Sequence, residues 1–165
     1  AGVDSIEHGS YADKESVRLF KKTGAYLVPT LLAGHTVMKM AKESDFMSDA
    51  IKVKAIDVSS AMAGNFTKAY EAGVNIAYGT DSGVSRHGTN AYEAILMYEA
   101  GMSASDILKS ATVNAADLID HSDSLGTVEP GKHADIIATA LNPLKDITAL
   151  LKVDFVMKGG VIVKQ

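Results

Sequence analysis

Two strand ends carry the residue types best suited to chemistry. Residues 74–83 read Val-Asn-Ile-Ala-Tyr-Gly-Thr-Asp-Ser-Gly. Val74, Ile76 and Tyr78 alternate as a strand does, and Gly73 and Gly79 punctuate it. The run then stops at Asp81, a carboxylate between small residues. A β-branched strand that ends on an acid is how a parallel α/β protein pushes one carboxylate into a site. Thr-Asp-Ser-Gly is also ordinary β-turn chemistry, and both readings stand on this stretch alone. A second strand end, Ser5-Ile6-Glu7-His8-Gly9, delivers an imidazole in the same manner. The chain has no cysteine. Any metal must therefore be held by His, Asp, Glu or a modified Lys, and no disulfide framework is available.

The elements that position these residues follow from periodicity. A short strand is expected over residues 3–8. Next comes a helix capped by Asp13, with Val17 and Phe20 on its buried stripe and Gly24 at its C′ position. Residues 25–32 read as the next strand, ended or bent by Pro29. Residues 34–48 are Met-rich and irregular, a loop with a helical turn that suggests a lid. Ile51, Ala55, Val58, Met62, Phe66 and Ala69 recur in steps of three and four, so a long amphipathic helix is expected to about Ala72. After the central strand, Asn90 with Glu93 three residues on predicts a capping arrangement for a helix running to Ala100. Ser103 with Asp106 starts another helix, which carries Ile107, Leu108, Ala111, Ala115 and Leu118 on one face. Turn signals dominate from Asp123 onward, with strands expected over 134–139, 153–157 and 161–164 and one helical turn near 147–151.

Alternating strands and helices mean a parallel sheet with crossover helices. The chain divides into residues 1–120, the α/β portion, and residues 121–165, a small β appendage. Three strands cannot close a barrel, so a barrel reading demands further strands before this segment. The opening Ala1-Gly2-Val3-Asp4 reads like the exit of a helix already running into a strand, the expectation for a piece of a longer chain. With 165 residues, 47% hydrophobic and 22% charged, the composition is that of an ordinary globular protein. The net charge of −4 with scattered basic residues argues against nucleic acid or an anionic membrane as the main partner. No apolar run approaches the about 18 residues of a membrane span and no signal peptide is visible, so a cytoplasmic location is expected. An open flavodoxin-like binding module is disfavoured by the lack of a P-loop or a G-x-G-x-x-G phosphate loop.

In combination, "AGVDSIEHGS", "VNIAYGTDSG", "GTVEPGKHADIIA" and the terminal "VDFVMKGGVIVKQ" resemble the C-terminal half of the metal-dependent amidohydrolase superfamily. The similarity is greatest to its imidazolonepropionase-like branch, which includes Xaa-Pro dipeptidases (prolidases). The resemblance covers essentially the whole chain. It implies a (β/α)8 TIM-like barrel, of which this chain would supply strands six to eight, together with part of a small β-sandwich. It further implies that His8 is the sixth-strand histidine of the metal centre and Asp81 the eighth-strand aspartate, with Asp81 as catalytic general base. Nothing in the chain matches the family's His-x-His or its carboxylated lysine. The implied cofactor is zinc, as one or two divalent ions in the complete enzyme. The implied substrate is a small peptide or amide, Xaa-Pro dipeptides first, with a lactam or lactone as the neighbouring possibility.

His87, in the loop beyond Asp81, is a candidate for substrate contact. Arg86 beside it is a candidate partner for a substrate carboxylate. Thr30, after Pro29, is a candidate pocket residue or a satisfied core threonine. His35, His121 and His133 are expected to be structural. A reading of another class is a catalytically inactive structural half. For either, association as a homo-oligomer or through the unpaired barrel edge is expected.

Overall fold

The computed structural model describes residues 2–43, 45 and 47–165. Ala1, and Ser44 and Phe46 of the expected irregular segment, lie outside the described residues. Strands β1 (Ser5–Glu7), β2 (Tyr26–Val28) and β3 (Asn75–Ile76) form a parallel sheet in the order β1-β2-β3. Ser5 pairs with Tyr26, and Tyr26 in turn with Asn75. Helix α1 (Lys14–Thr23) joins the first two strands. As expected, Asp13 accepts from the Ser16 amide at 2.8 Å, and Gly24 closes the helix in the left-handed region at φ 77°.

Between β2 and β3 lie two helices, α2 (Leu31–Glu43) and α3 (Asp49–Glu71). The expected strand to Leu32 and loop from Gly34 are corrected here: the strand ends at Val28, and helix begins at Leu31. Pro29 cannot donate to the ladder, and Thr30 reverses the chain with φ 48°. Gly34 lets Met62 of α3 approach α2 closely: a Cβ there would lie 2.6 Å from Met62 Sδ and would require that side chain to shift. Strand β3 is shorter than its alternating pattern. Its ladder bonding reaches Ala77, whose amide donates to Leu27 O at 3.1 Å, and the Tyr78 amide then turns away to Ser110 O at 3.0 Å.

That last bond also divides the final helical stretch into α5 (Ala104–Ser110) and α6 (Val113–Leu118), where one continuous face was expected. With the Ser110 carbonyl engaged by Tyr78, and Thr112 at φ −126° and ψ −88°, the helical ladder breaks. Helix α4 (Tyr92–Glu99) precedes them. Leu27, Ile76, Phe66, Met97 and Ile107 form the core between sheet and helices. The appendage contributes to it through Ile147, on the 3-10 turn Ile147–Leu151. The remaining strands, β4 (Ile136–Ala138), β5 (Phe155–Lys158) and β6 (Val161–Lys164), make an antiparallel sheet. Its hairpin turns through Gly159 and Gly160 at φ 55° and 82°, the positive values that a two-residue hairpin turn needs. Among the described residues, no helix is long and apolar enough to cross a membrane.

Gly79 lets β3 leave the sheet against β2. A Cβ there would sit 2.4 Å from Val28 Cγ1. Gly79→Ala is expected to destabilise the fold by about 1–3 kcal/mol through overpacking, and Val28→Ala in the same chain to restore part of the loss. Urea unfolding of the single and double variants checks this. A Gly79→Ala chain as stable as the parent would contradict the close approach.

Candidate active site at the strand ends

Four non-glycine residues among those described have positive φ: His8 at 67°, Thr30 at 48°, Asp81 at 50° and Asp120 at 58°. The first three follow β1, β2 and β3 in turn. A left-handed conformation disfavours a side-chain-bearing residue by about 1–3 kcal/mol, and such strain persists where the surroundings over-determine it. His8 directly follows β1, Thr30 comes two residues after β2 and Asp81 five residues after β3, so each parallel strand is followed by one polar residue in this conformation.

His8 is fixed from two sides. Its amide donates to Val28 O at 2.9 Å, and its Nδ1 lies 2.6 Å from Thr30 Oγ1. That bond occupies one ring nitrogen and leaves Nε2 to face a ligand. Thr30 itself is only 2% exposed. It belongs to the site through His8 and contributes almost no surface of its own. Behind His8, Asn65 donates to Ser10 O at 2.7 Å and ties the loop down to α3, a contact with no local signal in the sequence.

Asp81 is exposed, and the loop around it is clipped by Asn90, whose Nδ2 donates to Thr80 Oγ1 at 3.0 Å and to Ser82 Oγ at 2.6 Å. Asn90 therefore does not cap α4 as the capping spacing suggested; residue 91 takes that place without a side-chain bond. His8 and Asp81 line one open cleft of about 410 Å³. The helices line the rest of it with mainly apolar side chains, among them Ala33 and Val37 from α2 and Val58 and Met62 from α3, together with Lys54 and Ser59 of α3. The expected lid region thus supplies a helical wall. Arg86 and His87 are exposed in the loop after Asp81, outside the lining of this cleft. His35 packs its ring edge-on against Tyr92 at 5.7 Å between centroids, a structural role.

Glu93 is the residue the sequence reading placed wrongly. It is fully buried, and its carboxylate accepts from the Leu31 amide at 2.8 Å and the Leu32 amide at 2.6 Å. It caps α2 and not its own helix. Burial pushes it up to about 7, against the two amide bonds that favour its charge. The available signal was an acid inside the apolar run Ala-Tyr-Glu-Ala-Ile-Leu-Met.

Among the described residues, no group of three or more His, Asp or Glu side chains gathers as a metal-ligand set. The donors present do suit a divalent ion. They are an imidazole whose second nitrogen is hydrogen-bonded, the usual setting of a ligating histidine, and a free carboxylate on the same cleft.

Comparison with known proteins identifies the fold family. The description "Amidohydrolase family" matches residues 1–163. The fold superposes on a Xaa-Pro dipeptidase solved with methionine bound in its active site, at TM-score 0.95 and 44% identity, covering 99% of this chain and 40% of that one. A prolidase complexed with N-methylphosphonate-L-proline matches at TM-score 0.87 and 28% identity, over 99% of this chain and 41% of that one. Ochratoxinase of Aspergillus niger is 34% identical over 169 residues, which cover 99% of this chain and 34% of that protein. The chain therefore spans between about a third and two fifths of the length of these relatives. With a matching family description over nearly its whole length and its strand-end His and Asp on one cleft, the chain belongs to the amidohydrolase family.

Proposed function

We propose that this chain supplies His8 and Asp81 to a metal-dependent hydrolase of peptide or amide bonds, with Xaa-Pro dipeptides as the substrate class. The observation that carries the reading is that both residues lie beyond the C-terminal ends of parallel strands and line one cleft. The relatives support it, since two are described as acting on, or holding an analogue of, a bond beside proline. The parallel sheet is then three strands of a (β/α)8 barrel, and residues 121–165 are part of its β-sandwich.

In this reading His8 Nε2 and the Asp81 carboxylate would hold a divalent ion, zinc by the borderline character of the donors, which would supply Lewis-acid activation of water and of the scissile carbonyl. Asp81 takes a proton from the attacking water as the oxygen bonds to the carbonyl carbon. It returns that proton to the amine nitrogen as the C–N bond breaks. Thr30 keeps the His8 ring in orientation through Nδ1. Arg86, in the exposed loop after Asp81, is the proposed partner of the substrate's carboxylate, and His87 beside it the proposed further substrate contact. The apolar wall of α2 and α3 takes a hydrocarbon side chain, in keeping with the methionine held by the dipeptidase relative. Val3, Ile6 and Leu19 are exposed beside the unpaired edge of β1, and association of chains along that edge is part of the proposal.

The test measures zinc by elemental analysis after dialysis, then proline release from Xaa-Pro dipeptides with and without chelator. Hydrolysis that is lost on chelation and returns with zinc is expected. Zinc-loaded protein that opens a lactam or lactone ring but cleaves no dipeptide would overturn the substrate class.

A further inference from the structure

We propose that Glu93 is a positioning residue for His8, acting across three elements through the start of α2. The inference rests on the functional reading of His8 given above. The path is short and each link is a measured contact. The two carboxylate oxygens of Glu93 receive separate amides, Leu31 at 2.8 Å and Leu32 at 2.6 Å. Those amides belong to the two residues that follow Thr30, whose backbone is held at φ 48°. The Thr30 hydroxyl in turn meets His8 Nδ1 at 2.6 Å.

The chain has reasons to relax at Thr30. A β-branched residue is a poor occupant of the left-handed region, so the local preference of Thr30 is against its observed φ of 48°. The first amides of a helix are orphan donors, and the threonine that precedes α2, Thr30, has its hydroxyl on His8 Nδ1 at 2.6 Å, so the Leu31 and Leu32 amides are taken by Glu93 instead. Glu93 supplies both acceptors from a position 62 residues away from Leu31 and is itself 0% exposed. A helix start could be capped more simply by a local residue. Placing a bidentate carboxylate on α4 instead fixes α2, and with it Thr30, relative to the sheet that carries His8. Glu93 does not line the cleft with His8 and Asp81, so its part is orientation and not contact with substrate.

Glutamine at this position keeps the shape but turns an N–H₂ donor towards one of the two amide donors, which opens half of the clamp. Replacing Glu93 with Gln should therefore change the imidazole of His8 and leave the rest of the fold intact. The readout is the tautomer of His8 by nitrogen-15 NMR of the ring, at about pH 8.5, well above the ordinary imidazole range. In the parent chain Nδ1–H donating to Thr30 Oγ1 is expected to predominate, leaving the Nε2 lone pair free. In E93Q the ratio of Nδ1–H to Nε2–H should fall about fivefold, the worth of roughly one net hydrogen bond. Met97→Ala, a cavity one turn along the same helix, controls for general loss of stability and should leave the ratio unchanged. If E93Q does not fold, Glu93→Asp, which keeps the charge but withdraws it by one methylene, gives the same comparison. A folded E93Q or E93D chain with the parental His8 ratio, or an equal change in M97A, overturns the proposal. A shifted tautomer in a chain that binds no zinc and cleaves no peptide would uphold the clamp while the functional reading failed.

Discussion

Asp81→Asn is expected to lower kcat/KM for an Xaa-Pro dipeptide by roughly 10²–10⁴-fold in an active enzyme containing this chain, with the fold preserved. The structure makes this substitution unusually clean. Asp81 sits at φ 50°, and asparagine is among the few residues that accept the left-handed region readily. The loop is held by Asn90 through Thr80 and Ser82, not by the Asp81 carboxylate, so its geometry does not depend on the charge. What changes is chemistry. An amide cannot take the proton of the attacking water and is a weaker ligand for a divalent ion. A loss of that size corresponds to about 3–5 kcal/mol of transition-state stabilisation. The check pairs steady-state kinetics with urea unfolding. An unchanged unfolding midpoint with near-normal turnover would sink the assignment of Asp81 as base.

The same geometry explains which parts of the site were legible in the sequence. His8 and Asp81 stand out because each follows a short alternating stretch with glycine within two residues, a pattern that is local in the sequence. Gly24 after α1 and the Gly159-Gly160 turn were legible for the same reason, since backbone needs at those positions are met by residue type alone. Helix α2 was not. Its start lacks a local cap because Glu93 provides one from α4, and Pro29 with Gly34 imitates the punctuation of a loop. Asn90 and Glu93 have the spacing of a capping box, yet tertiary contacts claim both side chains: Asn90 holds the Asp81 loop and Glu93 holds α2. The break between α5 and α6 was hidden likewise, because the Ser110 carbonyl that ends α5 is taken by Tyr78 from another element. In each case a residue with a sound local reading was recruited at long range, and two of those recruitments, by Asn90 and Glu93, bear on the segments around Asp81 and Thr30. Thr30 is the intermediate case, a core threonine and a site residue at once, because its one exposed link to function is a histidine.

Glu93 also sets a pH dependence of stability that can be isolated by difference. Its burial raises it from 4.5 to about 7, while the amides of Leu31 and Leu32 pull the other way. Between those two values the folded chain retains a proton that the unfolded chain has released. Stability from this group is thus fully present below about pH 4.5 and is lost as pH rises through about 7, a swing of about 3 kcal/mol. Asp106, held low by Tyr70 and Ser103, has the opposite sign: its contribution is present above the ordinary carboxylate range and is lost on acidification. Tyr78, whose hydroxyl receives the Ala94 amide at 3.1 Å, is pushed up by burial and the nearby Glu93 and stays neutral throughout this window. Glu93→Gln removes only the first effect, so the histidines and Asp106 cancel when its unfolding free energy is subtracted from the parent's. The difference, parent minus variant, is expected to fall by about 3 kcal/mol from pH 4.5 to pH 7.5 in urea titrations. A flat difference would mean that the two amides offset burial and leave the carboxylate with the same proton affinity folded and unfolded. The sign carries a consequence for the site. The ionised carboxylate, which grips both amides at the start of α2 most strongly, is the form the fold tolerates least, so orientation of His8 near neutral pH is maintained against the stability of the helix that provides it.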